Sequence, residues 1–428
     1  VILFDVFRDV LYTGRVVRKS PVFGMVAVGS LALGIGANTA AFSLMNALLL
    51  RPLPVLDPRQ LVALSIVSPK GPDQGEPLSL AIFEQMRSNQ QVFSTMFAWR
   101  GDYPMTNFQA NGVNYASTLG EVSGDYFATL GVRPLLGRVL TPDDTRTGSP
   151  LPVAVLDYRC WRDRYHGDPA VIGKTILVEG RPLSIVGVTP ESFTGLVVEV
   201  APEATVPIGL FWPRNGANPK STRVAVIGRL KSGLTLGQAS ASLQALWIAI
   251  REATVPDEYR ADERARFLAR QIKVEPWAMG ISYTRERHAR PLAVLLGLVS
   301  LILLIACANL ASLMLARATA RRQEIGIRVA LGAGKWRLVR LLVTESMLLS
   351  SAGAALGLLF ALWASRLLVD LTWTGYVPTT LNPTLDLRVL GFTTAISLLA
   401  GVLFGLAPAM SLVRFAPGDA LLRSTRAA

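Results

Sequence analysis

Histidine and cysteine are nearly missing from this sequence: there are two of each, His166 and His288, Cys160 and Cys307. Two cysteines exclude a disulfide framework as the basis of the fold. No CxxC, HxxH or HExxH spacing occurs, so a His/Cys metal site has no support and the histidines read as surface residues. Charge is scarce as well. Asp, Glu, Lys and Arg make up 17% of the chain, against roughly 25% in soluble domains. The phosphate loop G-x-x-x-x-G-K-[ST] does not occur: Gly334-Lys335 is followed by Trp336, and position 329 is Val. G-x-S-x-G does not occur either, so there is no nucleophile elbow. The sequence thus offers no catalytic constellation, no metal site and no ATP site of its own.

What is present is apolar and basic together. Hydrophobic residues are 51% of the chain and the formal net charge is +13, with a mean hydropathy of +0.39. A nucleic-acid binder is expected to be basic and polar. An apolar chain with surplus Lys/Arg fits a membrane protein whose cations mark one side. Four runs free of Asp, Glu, Lys, Arg and His reach the ~20 residues that a crossing needs. They are Pro21–Leu50, Pro291–Ala316, Ser346–Ser365 and Val389–Val413. The first is too long for a signal-peptide core and ends in Arg51-Pro52-Leu53-Pro54, so a retained helix is expected.

Orientation follows from the short flanks. Arg8, Arg15, Arg18 and Lys19 precede the first run; Arg317, Arg321, Arg322, Arg328, Lys335, Arg337 and Arg340 separate the second and third; Arg414, Arg423 and Arg426 follow the fourth. These three groups fall on one side in a four-span chain, which predicts cytoplasmic N- and C-termini. The expected organisation is a cytoplasmic amphipathic segment 1–20, spans 21–50, 291–316, 346–365 and 389–413, and a large extracytoplasmic domain 51–290. A cytoplasmic loop 317–345, a short outer loop 366–388 and a tail 414–428 complete it. Small residues recur every four positions at Ala32, Gly36 and Ala40, at Gly353 and Gly357, and at Gly401 and Gly405. Such faces let helix backbones approach. Asn38, Asn46 and Asn309 are the strong hydrogen-bonding side chains within the spans. The lack of ionisable groups there argues against an ion-coupled transporter.

The 51–290 stretch reads as a folded α/β domain. Strands are predicted at Leu61–Val67, Val153–Leu156, Thr175–Val178, Leu183–Val188 and Arg223–Leu230, the third and fourth forming a hairpin about Gly180. Thr235 is placed to cap a helix with the apolar face Leu236, Ala239, Leu243, Leu246, Trp247 and Ile250. Two lobes are expected, a β-rich insertion of about 92–200 carried by a lobe made from both flanks. Segments 131–152 and 209–221 read as exposed loops. Asp143-Asp144 reads as an acidic first turn. Asp157, Asp163 and Asp168, interleaved with Arg159, Arg162 and Arg164, read as a solvated helix face. Glu199 and Glu203 read as loop residues.

Residues 321–337, RRQEIGIRVALGAGKWR, place a charged stretch between two spans. Attraction of a juxtamembrane helix to anionic lipid is one account. The pattern is more ordered than that requires. Glu324 and Arg328 form an i,i+4 pair in the favourable order. Gly332-Ala333-Gly334 ends the first helix and permits a turn. Trp336, Val339 and Leu342 begin a second amphipathic stretch that runs into the third span.

The segment Arg321–Ala333, RRQEIGIRVALGA, resembles the signature of MacB/FtsX-type ABC transporter permeases. Leu31–Leu53 (LALGIGANTAAFSLMNALLLRPL), Val122–Arg138 (VSGDYFATLGVRPLLGR) and Ile305–Ala316 (IACANLASLMLA) resemble the acidobacterial-type members of that family. The resemblance implies a bacterial inner-membrane permease with a MacB-like periplasmic core domain. It implies that Arg321, Arg322, Glu324, Ile325, Gly326, Arg328, Ala330, Gly332 and Ala333 contact a cytoplasmic ABC ATPase. It further implies that ATP and Mg²⁺ are used by that partner in trans, and that closure of the ATPase is relayed outward by mechanotransmission. A second permease copy is expected, as a homodimer or as the other half of a duplicated chain; a periplasmic adaptor is a further candidate, and nucleic acid is not expected. The sequence carries one copy of a unit that acidobacterial-type members contain twice, and begins with Val, as a piece of a longer protein would. The expected function is export or extraction of a substrate at the outer face. The alternatives are an FtsX-like transmitter that regulates an outside partner without transport, and an ATPase-independent sensor or scaffold.

Overall fold

The computed structural model describes residues 21–69, 75–146, 148–197, 200–211, 219–281, 283–320, 335–372 and 387–414. They fall into two compact units. The helical unit comprises the described residues up to Leu50 and from Thr284 onward, and the strand-rich unit is Arg51–Tyr283. In chain order, helix α1 (Pro21–Met45) passes into a π-helical turn, Asn46–Leu50. The strand-rich unit follows with β1 (Leu61–Val67), β2 (Leu78–Ser79), α2 (Leu80–Asn89), β3 (Phe93–Ala110), β4 (Val113–Val122), α3 (Tyr126–Leu130) and β5 (Leu136–Gly137). It continues with β6 (Val153–Leu156), α4 (Tyr158–Tyr165), β7 (Thr175–Val178), β8 (Arg181–Val188), β9 (Ala204–Pro207), β10 (Arg223–Leu230), α5 (Leu236–Ala253), α6 (Ala261–Leu268) and β11 (Gln271–Pro276). Helices α7 (Tyr283–Ala320), α8 (Lys335–Thr372) and α9 (Leu387–Arg414) complete the helical unit.

Among the described residues, four stretches are long and apolar enough to cross a membrane: Pro21–Met45, Arg290–Arg317, Val343–Ser365 and Leu387–Leu406. The helices that carry the middle two run further than hydropathy alone marks. α7 starts at Tyr283, before Arg290, and keeps Pro291 inside it. α8 continues past Arg366 to Thr372. Charged residues end an apolar run but are good helix formers, so the helical rods outlast the apolar segments. The expected domain edge at 290 therefore falls inside α7, and the compact units divide at Tyr283.

The strands form one sheet in the order β11-β1-β10-β3-β4-β9-β6-β8-β5, with β2 on β10 and β7 on β3 and β8. β4–β9 and β6–β8 pair in parallel, the other pairs antiparallel. Three apolar clusters lie along it. One draws on both flanks, with Leu64, Phe83, Phe93, Val226, Trp247 and Ile272. A central one holds Phe97, Trp99, Tyr126, Phe127, Val155 and Ile227. The third, with Phe108, Leu119, Ile176, Ile185 and Val206, lies in the inserted region. Two ends are thus recognisable, but they are not separate sheets: β3 supplies Phe93 to the first cluster, Phe97 to the second and Phe108 to the third.

Local chemistry explains several elements. Thr235 caps α5, and its hydroxyl accepts from the Gln238 amide while Gln238 Oε1 accepts from the Thr235 amide, a reciprocal capping box. Ala239, Leu243, Trp247 and Ile250 are buried, the face expected from their spacing. The β7–β8 hairpin turns at Glu179 (φ 49°) and Gly180 (φ 76°). A second tight hairpin joins β3 to β4 through Asn111 (φ 50°) and Gly112 (φ 79°). Both central residues have the left-handed conformation that Asn-Gly adopts at low cost. Segment 131–152 is packed in places, with Leu140 and Asp144 each 2% exposed. In β10, Arg229 is buried. Its guanidinium donates to the carbonyl of Thr129 at 2.9 Å, to that of Asp57 at 3.1 Å and to that of Leu56. One cation thereby ties β10 to the end of α3 and to the turn before β1. Burial holds the Arg229 pKa below its ordinary value, partly countered by Asp57.

Candidate functional site

The motif residues Arg321, Arg322, Glu324, Ile325, Gly326, Arg328, Ala330, Gly332 and Ala333 lie outside the described residues. The structure describes what brackets them. α7 leads to Ala320 on one side and α8 departs from Lys335 on the other. Near these ends, Arg317 Nη1 of α7 stands 3.8 Å from Glu345 Oε1 of α8. The side chains are 16% and 12% exposed, so both groups are largely withdrawn from solvent. The Arg317 guanidinium also sits 4.7 Å from the centre of the Phe23 ring on α1. Cation and aromatic face attract, more strongly where water is excluded. Arg317, one of the cations that flank the second span, turns inward and gathers α1, α7 and α8, where Glu345 and Phe23 supply the charge and the ring that a guanidinium needs.

The small residues meet neighbouring helices. A Cβ at Gly36 would come within 2.7 Å of the Gly357 carbonyl oxygen, and one at Gly357 within 2.9 Å of the Ala32 carbonyl oxygen. One at Gly353 would meet Leu31 Cβ at 2.7 Å. α1 and α8 therefore approach backbone to backbone, with Ala32 and Ala40 also buried. On α9, a Cβ at Gly401 would lie 3.0 Å from Met347 Sδ, and one at Gly405 2.7 Å from Ser346 Oγ. Gly34, outside the four-residue repeats, faces Leu303 of α7 at 2.7 Å by the same construction.

Polar side chains fix these contacts. Asn38 Nδ2 donates to the carbonyls of Gly34 and Val299, each at 2.9 Å, and Ser300 Oγ donates to Asn38 Oδ1 at 2.8 Å. Thr39 and Thr393 hydroxyls lie 3.1 Å apart, and Phe42 stacks on Phe392 with centroids 4.1 Å apart. Arg388 Nη1 donates to the Leu50 carbonyl at 2.6 Å, at the end of the π-helical turn. That turn contains buried Asn46. Turns of this kind recur at functional places in helices. Asn309 is exposed on α7.

In the strand-rich unit the acidic and basic residues around α4 are not a uniformly solvated face. Asp157 is buried and caps α4, accepting from the Arg159 amide at 2.8 Å. Arg164 grips Glu203 through contacts of 2.9, 3.1 and 3.2 Å and covers the Tyr115 ring at 3.4 Å. Asp163 and His166 are exposed as expected. Cys160 is buried beside this group, and burial pushes its thiol pKa well up. Asp144 accepts from both Arg138 nitrogens, at 2.6 and 2.9 Å, and from the Thr141 amide at 2.8 Å. These are structural ties: each acid is matched to a guanidinium or a helix start. Among the described residues no group of His, Cys, Asp and Glu is placed to hold a metal ion.

Comparison with known proteins gives the same two parts. Residues 25–246 match the MacB-like periplasmic core domain, and residues 296–417 match the FtsX-like permease C-terminal family. The macrolide export ATP-binding/permease protein MacB of Escherichia coli (strain K12) is 27% identical over 325 residues, covering 73% of this chain and 44% of that protein. The protein of the same description from Shigella boydii serotype 4 is 27% identical over 329 residues, with the same coverage. The chain thus spans less than half the length of these relatives. Among solved structures, the periplasmic region of MacB from Actinobacillus actinomycetemcomitans aligns with 52% of this chain and 90% of that one, at 14% identity and a TM-score of 0.37. The extracellular domain of the noncanonic ABC-type transporter YknZ from Gram-positive bacteria aligns with 50% and 99%, at 14% identity and a TM-score of 0.35. With a family match across more than half its length and four helices able to span a bilayer, the chain belongs to the MacB/FtsX-type ABC transporter permeases.

Proposed function

We propose that this permease relays the closure of a separate cytoplasmic ATPase through its spans to the strand-rich unit, and so exports or extracts a substrate at the outer face. In this reading residues Arg321–Ala333 form the ATPase contact and both termini are cytoplasmic. The partner holds ATP and Mg²⁺, and a second permease copy completes the assembly. Export as the direction draws on the activity named for the MacB relatives.

The observation that carries the reading is the length of the two rods leading away from the motif. α7 and α8 are each one continuous helix of 38 residues. At ~1.5 Å per residue each is about 57 Å long, against a hydrocarbon core of ~30 Å. A helix longer than the bilayer is thick carries a displacement from one face to the other without breaking its own hydrogen bonds. The Arg317–Glu345 contact and the Phe23 ring tie the rods to each other and to α1 near the motif, so a push there would move them together.

Affinity capture tests the coupling. The full chain, purified from its own cells, should bring down an ABC ATPase, and Arg328→Glu should abolish capture. Capture that survives disruption of 321–333 would overturn the assignment. ATP-driven uptake of a macrolide by inside-out vesicles tests export; capture without any such uptake would favour an FtsX-like transmitter.

A further inference from the structure

The chain leaves the helical unit at Leu50 and re-enters it at Thr284, so α1 and α7 join the stretch Arg51–Tyr283 at its two ends. Each of these helices has a break in its α-helical hydrogen bonding close to that end. In α1 the break is the π-helical turn Asn46–Leu50. In α7 it is Pro291, which lies inside the helix. Proline has no N–H, so the Arg287 carbonyl loses its donor, and the ring crowds that carbonyl. Proline and π-turns are both known causes of a bend in a helix. Helix α8, as long as α7, contains neither.

The two breaks are in contact. Leu292, the residue after Pro291, is buried in one small cluster with Leu44 and with Leu49 of the π-turn. A third helix reaches the same level: Arg388, at the start of α9, donates to the Leu50 carbonyl at 2.6 Å. That carbonyl ends the turn, where a helix has run out of its own donors. Just inward, the same helices are fastened. Asn38 of α1 donates to the Val299 carbonyl of α7 and accepts from Ser300. Gly36 lies against Gly357 of α8, Thr39 meets Thr393 of α9, and Phe42 stacks on Phe392. A rod held along one part and broken just beyond it bends at the break. Leu292 couples the two bends, because α1 or α7 bending alone would pull the Leu44–Leu49–Leu292 cluster apart.

We propose that the π-turn and Pro291 form one paired joint, at which the outer ends of α1 and α7 bend together while their inner parts stay fixed in the bundle, and that Arg388 restrains it. The inference rests on the relay reading of the preceding section and gives the level at which a push along the rods becomes a bend. Inward of that level both helices remain stiff.

The full chain in lipid nanodiscs tests it. Pro291→Ala restores the missing donor without adding bulk. It should slow hydrogen exchange of amides 47–50, on the other helix, at least about three-fold, and Arg388→Leu should speed them by a similar factor. A response confined to α7 would overturn the pairing. Nitroxides at Leu33→Cys on α1 and Val113→Cys on β4, both exposed, report the bend as the width of their distance distribution. The background is Cys160→Ser with Cys307→Ser, and labelled chain is diluted with unlabelled chain. The width should narrow with Pro291→Ala and broaden with Arg388→Leu. A second pair, Val113→Cys with Ile248→Cys, lies within the strand-rich unit and should keep its width. No change in the first pair, or the same change in both pairs, would overturn the proposal. ATPase capture is read on the same variants. Capture without these responses removes this inference alone, and these responses without capture remove the relay reading alone.

Discussion

Arg317 on α7 faces Glu345 on α8 across 3.8 Å, with both side chains mostly buried at the two ends of the loop that holds the family motif. Removing one partner of such a pair leaves the other withdrawn from water and uncompensated. Glu345→Ala should therefore lower the stability of the helical unit by about 1–3 kcal/mol, less than for a fully buried pair because some solvent remains. The exchange Arg317→Glu with Glu345→Arg should recover part of the ion pair but not the contact with Phe23. Thermal unfolding in detergent of the single and double variants measures the interaction as a cycle.

The glycines separate into critical and free positions. Gly36→Val and Gly357→Val should each destabilise the chain by about 1–3 kcal/mol, because backbone atoms of the facing helix stand where the new side chain must go. Gly29→Ala and Gly297→Ala should be neutral or slightly stabilising, since a Cβ at either meets nothing within 4 Å. The same melting experiment ranks all four.

Two buried carboxylates give opposite pH responses. Burial lifts the Asp157 pKa from 3.8 to about 6, against the lowering effect of Arg159. An acid whose pKa is raised on folding binds its proton more tightly when folded. Its favourable contribution is complete below about pH 4 and is lost as pH rises through about 6. Asparagine is an equally good helix cap, so Asp157→Asn should stabilise α4 at pH 8 by up to about 2–3 kcal/mol and change little at pH 4. For Asp144, burial raises the pKa, but the bonds from Arg138 and Thr141 outweigh it and hold it below 3.8. Its contribution is present at neutral pH and lost as pH falls through that lowered value. Hydrogen exchange should show α4 better protected at pH 5 than at pH 8, and the Pro142–Thr145 turn opening only toward strongly acidic pH.

Membrane orientation is testable with a cysteine that the chain does not have. Cys160 and Cys307 are 3% and 4% exposed and should not react with an impermeant maleimide in the folded protein. Val113, at the start of β4, is 61% exposed. Val113→Cys should label in cells with only the outer barrier opened; labelling only after lysis would reverse the proposed topology.

The four spans, the strands β1, β6, β7, β8 and β10, and α5 with its cap were legible in the sequence because each has a local cause: an uninterrupted apolar run, an alternating pattern, or a Thr before an apolar face. The β3–β4 hairpin was not called, although Asn111-Gly112 carried the signal. Its strands have little alternation, because β3 passes through three cores and changes its burial pattern on the way. The roles of Arg229, Asp157 and Arg317 were not legible. Arg229 and Arg317 depend on partners far away in sequence, the carbonyls of Leu56 and Thr129, and Glu345 with Phe23, and a charge in a linear string reads as solvated until such partners are placed; Asp157 takes the Arg159 amide two residues on, but its burial comes from packing that the string does not show. Gly34 was missed because it lies off the four-residue repeat, though it meets α7 directly.

Strand β3 runs 18 residues, from Phe93 to Ala110, or about 60 Å at ~3.3 Å per residue. It is hydrogen-bonded along its length to β10, β4 and β7, and side chains from it are embedded in all three cores. Such a strand is a beam: it resists extension, and the ends of the unit cannot swing as independent bodies. Apart from its first residues, where the pairing with β10 shifts between Phe93 and Thr95, its compliance is confined to the two register shifts against β4, between Trp99 and Gly101 and between Tyr103 and Thr106. Any flexing of the strand-rich unit under load should therefore concentrate in residues 99–106, a hinge set within the sheet itself and not in a loop.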